Sequence, residues 1–251
     1  MNDQSQQTDA AVEREFLHPS KRRPHYLERV SIVQALRELR HRVKPGRLLD
    51  VGCGMKPYES LLTQRGSRYY GTDWPVTMEG SYGDLTRADF FSDSMVLPFR
   101  EGTFDTVVST QMLEHVRQPE IVIPEMARVL KPDGILILSA PMTWPLHEEP
   151  HDYYRYTLHG LRHLLEDADF EILDEIRRGN NWTTMAQMFL DTQLGNLGQR
   201  VPERIYSTLV SLAVNHPCPA INLFPPVRRL CLCLGVSASK LSAREAPPAA
   251  L

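Results

Sequence analysis

The amino-acid sequence predicts one large α/β domain on a doubly wound, mostly parallel sheet, and three observations carry that expectation. A short apolar run (Leu48, Leu49, Val51) leads into Gly52 and Gly54 and then into a helix pattern, the strand–turn–helix opening of such a sheet. The stretches Thr103–Ser109 and Ile135–Ala140 are near-continuous apolar runs, as strands covered on both faces require. Between them Ile121, Val122, Met126, Val129 and Leu130 recur at helical spacing behind Pro119, the pattern of a crossover helix.

At 251 residues there is room for one such domain and an insertion. The formal charge of −3 argues against nucleic acid as a partner, because no chain-wide basic footprint exists. No run of about 18 apolar residues is present, and residues 1–15 lack the apolar centre of a secretory signal. The cysteines at 53, 218, 231 and 233 show no C-x-x-C spacing, so neither disulfides nor a metal site is expected, and the cytoplasm is the default compartment.

In chain order, residues 1–20 are polar and read as a disordered tail, and the core is expected over 21–179. Pro24 to Val43 carries an amphipathic pattern, a helix that covers the sheet or the mouth of a site. Gly52 and Gly54 let the backbone turn sharply against a ligand beside the N-terminus of a helix over Tyr58–Arg65. A dinucleotide fingerprint fails here, because its third glycine falls on Pro57. Strand two, Arg68–Asp73, ends on a carboxylate about 20 residues past the turn, the spacing of a ribose-binding acid. Trp74 then offers either a face for an adenine or a packing surface. A short strand is expected near Ala88–Phe91, and Lys131-Pro132-Asp133-Gly134 is expected as a turn.

Several of these segments resemble one family. Asp50-Val51-Gly52-Cys53-Gly54 resembles the first motif of class I S-adenosylmethionine-dependent methyltransferases, with Lys56 where the stricter motif has glycine. Asp93-Ser94-Met95-Val96-Leu97-Pro98-Phe99, the strand-end run Thr110 to Val116 with its Leu113-Glu114-His115, and Leu130-Lys131-Pro132-Asp133-Gly134 resemble later segments of bacterial, type 11-like members in the right order. The resemblance covers residues 47–140 and implies a Rossmann-like methyltransferase fold with seven strands. It implies S-adenosylmethionine as cofactor: Asp50, Gly52, Cys53 and Gly54 at its methionine end, Asp73 on the ribose, Asp93 and Ser94 at the adenine, and Gln111 to His115 near the reactive centre; Trp74 stands next to Asp73 as the residue on which the adenine would stack if it is not a packing surface.

The stretch Met142–Tyr156 holds two His, an Asp, three Tyr, a Trp and an Arg, and reads as a lid over the acceptor. His147-Glu148-Glu149-Pro150-His151 matches H-E-x-x-H letter for letter, but Pro150 forbids the helix that zinc chemistry needs. Candidate bases are His115, His147 and His151, and candidate acceptor contacts are Trp144, Tyr153, Tyr154 and Arg155. Arg155 reads equally as a partner for Asp152 or Glu148. Thr157 is placed to cap a helix, and Phe170–Ile176 alternates as strand six. Pro141 to Thr157, with Trp144, His147 and His151-Asp152-Tyr153-Tyr154-Arg155-Tyr156-Thr157, resembles a pattern in bacterial methyltransferases often associated with cell-surface glycan pathways.

Residues 180–229 read as a helical insertion, residues 230–241 as the returning last strand, and residues 242–251 as a second tail. The insertion is a helical cap, a surface for a membrane or lipid-linked acceptor at the inner membrane face, or a homodimer contact. The function expected is O-methylation of a small or lipid-linked polar acceptor such as a sugar. A non-catalytic cofactor-binding scaffold is the alternative, and an NAD-dependent oxidoreductase is disfavoured by Pro57.

Overall fold

The computed structural model describes residues 11–20, 25–64, 66–74, 86–185, 187–188, 192, 205 and 233–241. Among them, helix α1 (11–17) and α2 (Tyr26–Leu39) precede β1 (Arg47–Val51), α3 (Glu59–Leu62), β2 (Arg68–Asp73) and β3 (Phe90–Phe91). Then come β4 (Phe104–Thr110), a 3-10 turn (Leu113–His115), α4 (Pro119–Val129), β5 (Leu130–Pro141), α5 (Leu158–Glu166), β6 (Phe170–Arg178) and β7 (Cys233–Lys240). These strands form one seven-stranded sheet in the order β3-β2-β1-β4-β5-β7-β6. The pairs β1/β2, β1/β4, β2/β3 and β4/β5 are parallel, while β7 runs antiparallel between β5 and β6.

Period-two alternation explains why the central strands are apolar without interruption. Leu49, Val107, Leu136 and Leu138 point to a core shared with Val122, Ile123 and Met126 of α4 and Leu161 and Leu165 of α5. Their neighbours Leu48, Val108, Ile135 and Ile137 point the other way, onto Ile32, Val33, Leu36 and Leu39 of α2 and Leu62 of α3. Helices therefore cover both faces, the doubly wound arrangement.

The tail expected over residues 1–20 is helical in its second half, and Leu17 is buried in the α2 core, an apolar anchor that outweighs the polar residues around it. The crossover helix expected over Tyr58–Arg65 shortens to Glu59–Leu62. The Lys131–Gly134 turn is drawn into β5, where a register shift opposite Phe104–Thr106 and Asp133 at φ 61 mark a bulge. Thr157 caps α5, its side-chain oxygen accepting from Gly160 N at 3.0 Å. Most of the insertion expected at 180–229 lies outside the described residues, as do residues 1–10 and 242–251. Among the described residues no helix is long and apolar enough to cross a membrane.

Candidate active site

Strand order reverses between β1 and β4, so a crevice opens beyond the carboxyl ends of the parallel strands. A cavity of about 940 Å³ occupies it, near the top of the range of about 300–1,000 Å³ for small-molecule sites. Its walls come from the β1 turn, the β2 and β4 ends, the 93–95 loop, the 144–153 segment, and residues of α1 and α2.

Gly52 takes φ +76, and a Cβ there would lie 2.3 Å from Met112 Cγ, so only glycine fits under that side chain. Gly54 also has positive φ, but nothing lies within 4 Å of where its Cβ would be, leaving bare backbone against the cavity. Lys56 stands at φ 53, showing that the turn demands the left-handed region at the position where the stricter motif has glycine. Its Nζ pairs with Asp89 Oδ2 at 2.5 Å, which offsets part of that strain. Asp73 accepts from Gly54 N and Trp74 N, both at 2.8 Å, and so fixes the turn to the end of β2. Trp74 is 41% exposed on the cavity wall, with its ring edge-on to His151 at 5.4 Å. Asp93, Ser94 and Gln111 line the same wall, and Gln111 is held at φ 51 with its amide donating to Ser139 Oγ at 3.1 Å.

Asp50 is a departure. It lies behind the turn and off the cavity wall, buried, with one carboxylate oxygen accepting from the Tyr69 hydroxyl. Burial pushes its carboxyl up to about 7, against the pull of that hydroxyl. A β1 residue alternates faces, and position 50 points into the helix layer rather than the crevice. Cys53 reaches the wall, but burial pushes its thiol up, so it is a packing group and not a nucleophile.

Three histidines meet on the same cavity wall, with His151 against Trp74. His115 Nδ1 lies 2.8 Å from the His151 carbonyl oxygen, which can only accept, so in the neutral ring the proton belongs on Nδ1 and the lone pair on Nε2. His147 stands edge-on to it at 4.8 Å, with Nδ1 at 3.2 Å from Pro145 O and 3.3 Å from Asp152 Oδ2, two acceptors nearer than the donor Arg155 Nη2 at 3.5 Å, which favours the same tautomer of the neutral ring. Burial, then the neighbouring His115 ring, holds the His147 pKa below the ordinary imidazole value. Glu114 is buried beside them and burial pushes its carboxyl up to about 8. The Tyr153 hydroxyl accepts from Arg117 Nε at 2.8 Å and lies 3.1 Å from His151 Nδ1. Residues 147–151 are not helical, as Pro150 requires.

Trp144 and Tyr153 line the cavity; Tyr154 and Arg155, expected as acceptor contacts, do not. Tyr154 points its hydroxyl to Arg117 O at 3.0 Å. The Arg155 guanidinium uses all five N–H groups inside the lid: Nε to Trp144 O, Nη1 to Asp152 Oδ1 and Tyr154 O, Nη2 to Asp152 Oδ2 and Pro145 O. It is the frame of the segment rather than a ligand contact. Against the tendency of burial to raise it, this fork holds the Asp152 carboxyl down to about 2.

Against known proteins, a methyltransferase domain family profile matches residues 21–175. The chain belongs to that family. Among relatives of this methyltransferase, a Mycolicibacterium smegmatis protein named as a probable S-adenosylmethionine-dependent methyltransferase is 29% identical over 146 residues, 55% of this chain and 57% of that one. A Mycolicibacterium paratuberculosis protein named an uncharacterized methyltransferase is 33% identical over 96 residues, 37% of this chain and 38% of that one. The matches thus span a third to just over half of these relatives' length. In the solved structure of the [4+2]-cyclase SpnF, 21% identical, the same fold recurs with a TM-score of 0.54 over 87% of this chain and 83% of that one. That likeness speaks to the fold alone.

The cofactor of this methyltransferase is S-adenosylmethionine, and the β1–β2 end of the cavity fits it. Gly54 leaves bare backbone that could face the charged amino-acid end, Asp73 brings a carboxylate to the cavity wall that could accept from ribose hydroxyls, and Trp74 brings a ring that is 41% exposed. Sequence reasoning missed Glu114 as more than part of a motif, and missed His25, Glu28 and Arg29, which α2 brings to the cavity wall. Their signal was the amphipathic α2 pattern itself, which fixed the buried face but not what the opposite edge would border.

Proposed function

We propose that the chain transfers a methyl group from S-adenosylmethionine to a hydroxyl of a small or lipid-linked polar acceptor, a sugar being the class that fits best. The observation that carries this reading is the joining, in one cavity, of the glycine turn and Asp73 with the His115–His147 pair. An intact cofactor end with a blocked acceptor end would instead have favoured the scaffold. Trp144 and Tyr153 supply aromatic faces beside the polar cluster, a combination suited to a ring that bears hydroxyls. Exposed Met185 and Met188, where the insertion begins, support a lipid-linked form of that acceptor.

When bound, the cofactor supplies a methyl already activated on a sulfonium, so the protein's part is alignment and proton handling. Asp73 and the turn fix the nucleoside, Gln111 is held rigidly at the strand end, and α1 and α2 close the mouth. An acceptor hydroxyl entering between His115 and Glu148 meets the open Nε2 of His115, which takes its proton. The test is transfer of a radiolabelled methyl to a panel of hydroxyl and amine acceptors, including polyprenyl-linked sugars. Turnover on a hydroxyl, falling about 10²–10⁴-fold in His115→Ala, is the expected outcome. Turnover restricted to amines and indifferent to His115 would overturn the assignment of acceptor and base.

A further inference from the structure

We propose that Glu114, His115 and His147 form a site for a divalent transition-metal ion at the acceptor end of the cavity. One ligand atom from each lies within 4.8 Å of the other two. An ion equidistant from three atoms spread to that limit would sit about 2.8 Å from each, against metal–ligand bonds of about 2.0–2.2 Å. Closing the gap takes side-chain rotations that move each atom by well under about 1 Å.

Three features outside the cluster's shape point to an ion. Glu114 Oε2 has no hydrogen-bond partner although its side chain is only 1% exposed, while Oε1 stands 3.9 Å from His115 Nε2. Leaving a buried carboxylate oxygen empty-handed is costly unless something positive completes it. Both imidazoles have Nδ1–H committed to acceptors, which leaves the Nε2 lone pairs free and fixes the rings. For His147 one of those acceptors is Asp152, itself clamped by Arg155, which reproduces the carboxylate–histidine–metal arrangement that orients metal-binding histidines.

The donor set, two imidazole nitrogens and one carboxylate oxygen with an open side toward the cavity, suits zinc, cobalt or manganese rather than calcium or magnesium. The open position would take an acceptor oxygen; this role rests on the methyl-transfer reading above, while metal binding itself does not. In the loaded protein His115 Nε2 holds the ion instead of a proton. The ion acidifies the bound hydroxyl, whose proton passes to the Glu148 carboxylate, 3.9 Å from that same Nε2.

The test uses full-length protein stripped with a chelator and titrated with Co²⁺ by visible absorption and with Zn²⁺ by calorimetry, with S-adenosylhomocysteine titrated into the same sample. One equivalent bound at micromolar affinity or tighter, weakened about tenfold or more in Glu114→Gln and in His147→Ala, is the expected result. Cooperative thermal unfolding identifies which variants are folded, and His147→Ala, altered at a half-buried position, decides if Glu114→Gln does not fold. No saturable binding by the wild type, or binding unchanged in the folded variants, overturns the site. Metal binding without S-adenosylhomocysteine binding would leave the site standing and sink the methyltransferase reading; the reverse would sink only the site.

Discussion

Replacing Arg155 by Met separates a framing arginine from a substrate-binding one. In the wild type the guanidinium donates five hydrogen bonds, two of them to the 1%-exposed Asp152 carboxylate at 2.6 and 2.7 Å. Methionine keeps most of the stem's packing but removes the cationic partner of that carboxylate, leaving it the His147 main-chain N–H at 3.0 Å and the His147 ring at 3.3 Å. Removing one partner of a buried pair costs about 3–5 kcal/mol. The carboxylate's own share follows from its depression to about 2 from an ordinary 3.8, about 2.4 kcal/mol at pH 7. Because the folded-state pKa is depressed, that share is fully present above about pH 4 and lost as pH falls through about 2. Urea unfolding at pH 7 should therefore show a loss of about 3–5 kcal/mol. Arg155→Lys should recover only part of it, having three donors for five acceptor positions. Affinity for S-adenosylhomocysteine, which rests on the β1 and β2 ends, should change by less than about threefold. A loss below about 1 kcal/mol, or unchanged stability with a raised acceptor KM, would refute the framing role.

Three further outcomes follow from single positions. Gly52→Ala should cost about 2–5 kcal/mol by thermal unfolding, the sum of a left-handed alanine and a clash with Met112; because the new methyl would meet Met112 Cβ at 2.7 Å as well as Cγ at 2.3 Å, adding Met112→Ala should return only the Cγ part of the clash. Lys56→Gly should be nearly neutral, since relief of the φ 53 strain offsets the lost Asp89 pair, whereas Lys56→Val should cost about 2 kcal/mol or more. Tyr69→Phe should destabilise more at pH 9 than at pH 6. The Asp50 carboxyl is raised to about 7, so the stability tied to its proton is present at low pH and lost as pH rises through that value; removing the hydroxyl that favours the anion deepens the loss on the alkaline side. Equal losses at both pH values would refute this account of Asp50.

The parallel core was legible because its signals are local. Apolar runs, Gly52 and Gly54, Asp73 at the end of β2 and the Thr157 cap each follow from a few adjacent residues, and β1, β2 and β4 stand within a residue or so of their expected places. A late last strand was expected over residues 230–241, and β7 stands at Cys233–Lys240, but its place between β5 and β6 appears only in the structure. What the chain concealed were pairings across long separations. Asp152 was one of the two ion-pair partners offered for Arg155, but that the guanidinium also folds back on Trp144 and Pro145, and that Asp50 meets Tyr69 behind the turn, depend on side-chain direction, which residue type does not encode. Glu114 sits within a recognisable motif, yet its burial against His115 and His147 appears only once the 144–153 segment is laid over β4. The same holds for α1: a polar stretch reads as a tail until Leu17 finds a core to enter.

Calorimetric titration of the wild type and of Asp73→Ala with S-adenosylhomocysteine tests the central claim most directly. Asp73 braces Gly54 and faces the nucleoside end of the cavity. Losing one or two charge-assisted hydrogen bonds at about 1.5–3 kcal/mol each predicts micromolar binding by the wild type and a weakening of about tenfold or more in the variant. A folded wild type that binds nothing, or a variant that binds as tightly as the wild type, would contradict it.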